Sequence, residues 1–230
     1  MTKRAKQTVW VILGIVFILA SSITGCGHSR YIYENDAVIV GGDGKPIRLI
    51  DNPHATNPTY AELVAFLEED DTDEHLYVPP STYRGNLKIL IPYDCADFAE
   101  EVHNNAENAG IRAGFVSVSF QGGGEEHALN VFETSDKGLV FVDCNGLDFQ
   151  QQGAIMDAYL KGYLHQSLDS ALSCDTIAYI TIGKEYGRID LGKAGGTSYQ
   201  YYEQHQSKGL VNWKSPGIVK DYKIWWRGGK

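Results

Sequence analysis

The chain has 230 residues, of which 43% are hydrophobic and 21% charged, so it is long enough for one folded core with short additions. Its four cysteines are too few for a disulfide scaffold. Acidic residues outnumber basic ones by 29 to 20, which argues against nucleic acid as a partner, because an acidic surface repels phosphates.

Residues 1–25 are typical of a secretory signal peptide: a basic head, an apolar run at 9–20 and small residues after it. The run is shorter than the roughly 20 apolar residues that span a bilayer. The sequence ITGC at 23–26 resembles the lipobox of bacterial lipoproteins. That resemblance implies cleavage before Cys26, acylation of its thiol, and a protein anchored by lipid to the extracytoplasmic side of the cell membrane. An uncleaved membrane anchor is the alternative.

Residues 26–58 are predicted to form a polar spacer followed by a β-hairpin. Two runs rich in β-branched residues, at 37–40 and 47–50, flank a turn that contains glycine, aspartate and proline. Alternating runs around such a turn are typical of two paired strands. We therefore expect the two runs to be partners in one hairpin.

A short helix is predicted next, at 60–67. Thr59 is its expected N-cap, and Glu62, three residues later, completes the pattern of a capping box. The acidic run at 68–74 lacks the alternating ligands and the glycine of a calcium loop. We therefore interpret this run as a solvated turn.

The clearest helix is predicted at 94–109. Its apolar residues recur at intervals of four, four and three, which places them on one face: Phe98, Val102, Ala106 and Ala109. Asp94 suits the N-cap of this helix, and Gly110 stands where the helix is expected to end. Cys95 is then the first helical residue.

The remaining elements favour an α+β fold, with the helix packed on an antiparallel sheet. Strands are predicted at 114–120, 127–132, 139–144, 176–182 and 218–226, and helices at 155–172 and 198–206. We expect one domain at 59–191 and an aromatic-rich C-terminal extension at 192–230. Packing of these aromatic residues on the sheet is the favoured interpretation, and binding of glycan or peptide is the alternative.

Three residues combine into a candidate catalytic site. A thiol at a helix start is favoured as a thiolate, which makes Cys95 a candidate nucleophile. If the turn between the second and third strands is a five-residue loop at 133–137, His127 lies directly opposite Asp143. Directly opposite residues share a face, so the carboxylate can accept from the imidazole and orient it. A slip of one residue would move Asp143 to the other face.

The cysteine-headed helix, a strand, and then HALNVFETSDKGLVFVDC at 127–144 resemble the core of transglutaminase-like proteins, a branch of the papain-like cysteine hydrolases. The resemblance covers roughly residues 60–144. It implies that Cys95 is the nucleophile, His127 the general base and Asp143 the orienting acid. Gln121 and Asn130 are candidate oxyanion donors, with the backbone N–H of Cys95 as the preferred one. Where family members often carry an aromatic residue soon after the histidine, this chain has Ala128 and Leu129.

The resemblance implies acyl transfer from a peptide or protein amide at the cell surface, through a thioester on Cys95. Water as acceptor gives hydrolysis, and an amine gives crosslinking. A non-catalytic binding module with a vestigial triad is the alternative function. No cofactor is expected, and the oligomeric state stays open.

The other cysteines and histidines are not expected to form a site. No spacing of histidine, cysteine and acidic residues resembles a zinc site, so no metal is predicted. Cys144 and Cys174 are candidates for a disulfide in an oxidising compartment. His103 lies about 12 Å along the helix from Cys95, too far to activate it, and is interpreted as a surface or packed residue.

Overall fold

The computed structural model describes residues 27–80, 91–163, 175–195, 197–205 and 214–228. The predicted signal peptide, Cys26, Cys174 and Trp213 lie outside these ranges. Within the described ranges, no helix is both long and apolar enough to cross a membrane.

The described part of the chain contains four α-helices: α1 (Tyr60–Glu69), α2 (Cys95–Asn108), α3 (Phe149–Leu160) and α4 (Tyr199–His205). Short strands near the N-terminus are β1 (His28–Tyr31), β2 (Tyr33–Glu34), β3 (Ala37–Val38) and β4 (Arg48–Asp51). The strands that follow helix α2 along the chain are β5 (Gly114–Phe120), β6 (His127–Thr134), β7 (Gly138–Val142), β8 (Thr176–Tyr179), β9 (Gly187–Asp190) and β10 (Val219–Trp226). Short 3-10 turns cover Thr72–Glu74 and Leu191–Lys193.

The main sheet has six strands in the order β10-β5-β6-β7-β8-β9, and all neighbours are antiparallel. Strands β5 to β9 follow chain order, whereas β10 returns to lie beside β5 at one edge. The predicted α+β class is confirmed in this general form. Strand β10 belongs to the region predicted as a C-terminal extension, so that region contributes a strand to the sheet. Strand β9 has no counterpart among the predicted elements.

Helix α2 lies against one face of this sheet. Val102 and Ala106 of the helix are fully buried, and they pack in one cluster with Phe132 of β6 and Val142 of β7. Residues of alternate parity on the same strands, such as Leu129 and Val131, belong to a second cluster. This alternation is the period of a β-strand, and it assigns the even residues of β6 to the helix side.

The caps predicted from sequence are present. Thr59 and Glu62 form a capping box at the start of α1. Asp94 caps α2 in the same way, and Gly110 follows the last turn with φ of +82°, a conformation that favours glycine. Ala109, by contrast, is exposed rather than buried with the apolar face.

The predicted hairpin forms only in part. The N–H of Ile47 donates to the Ile39 carbonyl over 2.9 Å, and an isolated bridge joins Val40 to Pro46 of the turn, but the two runs do not form a paired ladder. The strand partners lie upstream instead: β3 pairs with β2, and β4 pairs with β1. Asn35 and Asp36 adopt positive φ and so make the tight turn between β2 and β3. The segment interpreted as a polar spacer therefore supplies two strands.

Two further predictions differ from the structure. Helix α3 begins at Phe149 rather than at 155, because Asp148 caps it and Gln151 completes a capping box. In the acidic run, Thr72 and Asp73 are buried rather than solvated. Asn105 of α2 donates to the Thr72 hydroxyl over 3.3 Å, which draws this part of the run against the helix.

Candidate active site

Cys95 is the first residue of α2, as predicted, and its side chain is partly exposed. Asp94 accepts from the backbone N–H of Ala96 over 3.0 Å. Asp97 accepts from the N–H groups of Gly42 and Asp94 over 2.8 and 2.9 Å. Both carboxylates are thus engaged by backbone donors at the helix start. The N–H of Cys95 itself is not one of the groups that the capping box uses.

His127 and Asp143 are hydrogen-bonded, with 2.9 Å between Nε2 and Oδ2. The predicted register was wrong by two residues, because Asn130 pairs with Val142 rather than with position 140. The turn is shorter than predicted, since Thr134 already pairs with Gly138. A shift of two residues keeps the face of a strand, so Asp143 stays on the side of His127 and reaches it diagonally.

Asp143 is the most buried of the three groups. The thiol of Cys95 is partly exposed, the His127 side chain is 18% exposed, and Asp143 is fully buried. Because Nε2 of His127 engages Asp143, Nδ1 is the ring nitrogen left for the sulfur. The Cys95 side chain is a close neighbour of the ring, since its contact and its charge are among the causes that raise the pKa of His127.

The electrostatics of the pair favour an ionised form. Burial lowers the pKa of His127, but the Asp143 carboxylate and the neighbouring thiol outweigh it and raise that pKa to about 10. Burial likewise raises the pKa of Asp143, yet Arg188 and His127 hold it well below its usual range. The site therefore stabilises an imidazolium next to the thiol at neutral pH.

Two residues that the sequence analysis missed hold the carboxylate in place. The buried Tyr186 hydroxyl donates to Oδ2 of Asp143 over 2.6 Å, and its ring lies edge-on to the His127 ring with centroids 5.5 Å apart. Arg188 of β9 places Nε 3.4 Å from the same oxygen. It also donates to Thr176, whose hydroxyl in turn donates to the Asp143 carbonyl. The imidazole is thus oriented by a carboxylate that is itself fixed from β8 and β9.

Small side chains allow the helix to approach the strand that carries His127. Ala96 and Ala99 of α2 pack with Ala128 of β6 in one cluster that Cys95 also contacts. Asn130, two residues further along the strand, donates to the Ala99 carbonyl over 2.8 Å. An alanine after the histidine therefore fits a close contact between helix and sheet.

The predicted oxyanion donors have different positions. The amide of Asn130 is buried and donates to the helix, so it serves as a brace, while Gln121 is exposed in the loop before β6. Tyr77, which the sequence analysis did not consider, stacks on Phe98 of α2 with centroids 6.3 Å apart. Burial and then the charge of Cys95 raise the pKa of Tyr77, so its phenol stays protonated within electrostatic reach of the thiol.

Cys144 has a different environment from Cys95. It is buried, and its free thiol donates to Oδ1 of Asp175 over 3.3 Å. Burial and the charge of Asp175 raise the pKa of this thiol well above its usual value. Its predicted disulfide partner, Cys174, lies outside the described residues, so the pairing stays a prediction.

No protein-family model, no curated protein and no solved structure matches this chain.

Proposed function

We propose that the protein is a transglutaminase-like cysteine hydrolase or acyltransferase with a papain-like core. The observation that carries the proposal is the chain of contacts from Cys95 at a helix start, through His127, to the buried Asp143. Nucleophile, base and orienting acid placed in that order next to one another are the arrangement of catalytic triads on several unrelated folds. A peptide or protein amide is the substrate class for which such a site is suited.

In the proposed reaction, the Cys95 sulfur attacks the amide carbonyl and the C–N bond breaks. His127 gives its proton to the leaving amine, so a thioester remains on the sulfur. The backbone N–H of Cys95 and the hydroxyl of Tyr77 are the donors that we propose for the oxyanion. Attack by water then releases an acid, and attack by a second amine gives a crosslink. Asp143 keeps its negative charge throughout and holds the imidazole.

Anchoring by an acylated Cys26 is part of the same proposal, and it would keep the enzyme close to protein substrates at the cell surface. The mass of the mature chain tests it. Loss of residues 1–25 together with added acyl mass on Cys26 supports the anchor. A chain that retains residues 1–25 contradicts it.

The decisive experiment for the triad is alkylation of the full-length chain in detergent by iodoacetamide, followed by peptide mass spectrometry. At about pH 6.5, a thiolate paired with an imidazolium reacts roughly 10- to 100-fold faster than an ordinary thiol, whose pKa is about 8.5. We therefore expect selective labelling of Cys95 over Cys144, and a similar loss of rate in His127→Ala. The matched control is His54→Ala, because His54 is exposed.

The binding-module alternative predicts a different result in the same assay. Labelling of Cys95 that rises only toward about pH 8.5, with no effect of His127→Ala, is the behaviour of an ordinary thiol. That outcome would overturn the catalytic proposal.

A further inference from the structure

A second cluster of polar side chains is buried between the N-terminal strands and α2. Asp51 ends β4, and His103 and Glu107 lie one turn apart on the helix. Their exposed fractions are 3%, 0% and 1%. One ligand atom from each residue lies within 4.8 Å of the other two, and no other group of this kind is found in the described part of the chain.

The ring of His103 has the feature that points to a ligand. Among the described residues, neither of its nitrogens makes a hydrogen bond of good geometry, although the residue is fully buried, and Nε2 faces the Asp51 carboxylate as an ion pair. Nε2 lies 3.3 Å from Oδ1 of Asp51. A nitrogen and an oxygen bound to the same tetrahedral Zn²⁺, with bonds of about 2.0–2.1 Å, also lie about 3.3 Å apart, with the oxygen off the lone-pair axis of the nitrogen. The pair is therefore spaced as two ligands of one ion.

The carboxylates are oriented by a second layer of donors. Oε1 of Glu107 accepts from the N–H of Ala113 over 2.9 Å, and Oε2 accepts from the N–H of Asn52 over 2.7 Å. Arg30 donates to both oxygens of Asp51, from Nε to Oδ2 over 2.7 Å and from Nη2 to Oδ1 over 3.3 Å. Each carboxylate oxygen has two lone pairs, so these bonds fix the ligands and leave lone pairs for a cation.

Two guanidinium groups limit the affinity of such a site. Arg30 pairs with Asp51, and Nη1 of Arg227 lies 3.9 Å from Oε2 of Glu107. Both guanidinium groups are also held by backbone carbonyls, Arg30 by that of Trp225 and Arg227 by those of Asn52 and Ala55, so their charges stay close to the carboxylates. We therefore expect weaker binding than in a zinc site closed by cysteines.

We propose that Asp51, His103 and Glu107 bind one divalent transition-metal ion, with Zn²⁺ the best match to one imidazole and two carboxylates. Because all three residues are buried, the ion is structural, and it ties β4 to the helix that carries Cys95. Asp51 is distant in sequence from the pair on the helix, which is why no motif spacing predicted a metal. This site is independent of the proposed catalytic function.

Titration of the full-length chain with Co²⁺, followed by visible absorption, tests the proposal. The Cys95→Ala background removes the thiol that also attracts such ions. We expect one saturable Co²⁺ per chain, competed by Zn²⁺, and a melting temperature that rises with Zn²⁺ and falls with a chelator. Removing a ligand in His103→Gln should weaken binding by at least about 10-fold. The exposed His54→Gln should leave binding unchanged.

A second variant covers the case in which His103→Gln does not fold. Asp51→Asn keeps the side-chain volume, removes one anionic ligand, and is expected to weaken Co²⁺ binding to the same degree. The proposal is overturned if the wild-type chain shows no saturable Co²⁺ signal. It is equally overturned if binding is unchanged in whichever of the two variants folds. Stability that responds to pH but not to metal assigns the cluster to an ion pair of protonated His103 and likewise overturns it.

Discussion

Replacing Asp143 with asparagine tests the role of the carboxylate oxygen that three neighbouring side chains contact. Oδ2 of Asp143 is approached by His127 at 2.9 Å, Tyr186 at 2.6 Å and Arg188 at 3.4 Å. The substitution keeps the size of the side chain but removes its charge. The amide can keep its oxygen toward the three donors, but its NH2 group then replaces Oδ1, which is buried and accepts no hydrogen bond from the described residues, so its N–H donors are left unsatisfied.

The magnitude follows from burial. Asp143 is fully buried and the Arg188 side chain is 11% exposed, so the variant removes the carboxylate charge that faces a guanidinium with little access to water. Removing one partner of a buried ion pair costs about 3–5 kcal/mol, against a total stability of about 5–15 kcal/mol for a typical domain. For the chemistry, the same substitution in serine-protease triads lowers the turnover rate about 10⁴-fold, because the imidazole is no longer held in its working tautomer.

Urea unfolding followed by tryptophan fluorescence measures the stability change, and iodoacetamide labelling of Cys95 measures reactivity. The control is Asp157→Asn, which breaks the exposed pair with Lys161 and is expected to leave the midpoint nearly unchanged. The pKa of Asp143 is lowered in the folded chain. Its contribution is therefore present above the unfolded value of about 3.9 and fades as the pH falls below it. A variant as stable and as reactive as wild type at neutral pH would refute the reasoning.

Three further predictions concern neighbouring groups. Tyr186→Phe keeps the ring against His127 but removes one charge-assisted hydrogen bond, worth about 1.5–3 kcal/mol. We expect slower labelling of Cys95 with a shifted pH profile. An unchanged pH profile would contradict a positioning role for Tyr186. The folded-state pKa of His127 is raised to about 10. The stability difference between wild type and His127→Gln should therefore be largest below about pH 6.5 and shrink as the pH rises through the folded-state pKa. A stability difference that grows with pH would contradict this prediction. Gly146→Ala places a Cβ against the His75 carbonyl and should destabilise the fold by about 1–3 kcal/mol. Gly153→Ala, in an open helical position, should stabilise it by about 0.5–1 kcal/mol. Equal melting temperatures of the two variants would contradict this prediction.

Local signals made the helix of the site predictable. Asp94 as N-cap, the apolar spacing after it and Gly110 at its end fixed the position of Cys95 from sequence alone. The face shared by His127 and Asp143 was also predictable, although the loop length was not. An error of two residues in the predicted register leaves each side chain on the same face of the strand. The predicted hydrogen bond between His127 and Asp143 is therefore present although the predicted register was wrong.

Contacts between distant segments were not predictable in the same way. Tyr186 and Arg188 meet Asp143 only because β8 and β9 continue the sheet beyond β7. Nothing in the spacing of single residues encodes such an encounter. The same holds for the cluster at Asp51 and His103, whose partners come together through packing of β4 on the helix.

The order in which the support for Asp143 occurs along the chain has a consequence for biosynthesis. A polypeptide that has emerged as far as Asp143, directly after β7, already contains the sulfur, the imidazole and the carboxylate. It lacks Tyr186, in the turn before β9, and Arg188 of β9, which together hold that carboxylate. It also lacks β10, which pairs with β5 at the edge of the sheet. The support for Asp143 is thereby complete only when nearly the whole chain has been made, so the reactivity proposed for Cys95 requires an almost finished polypeptide.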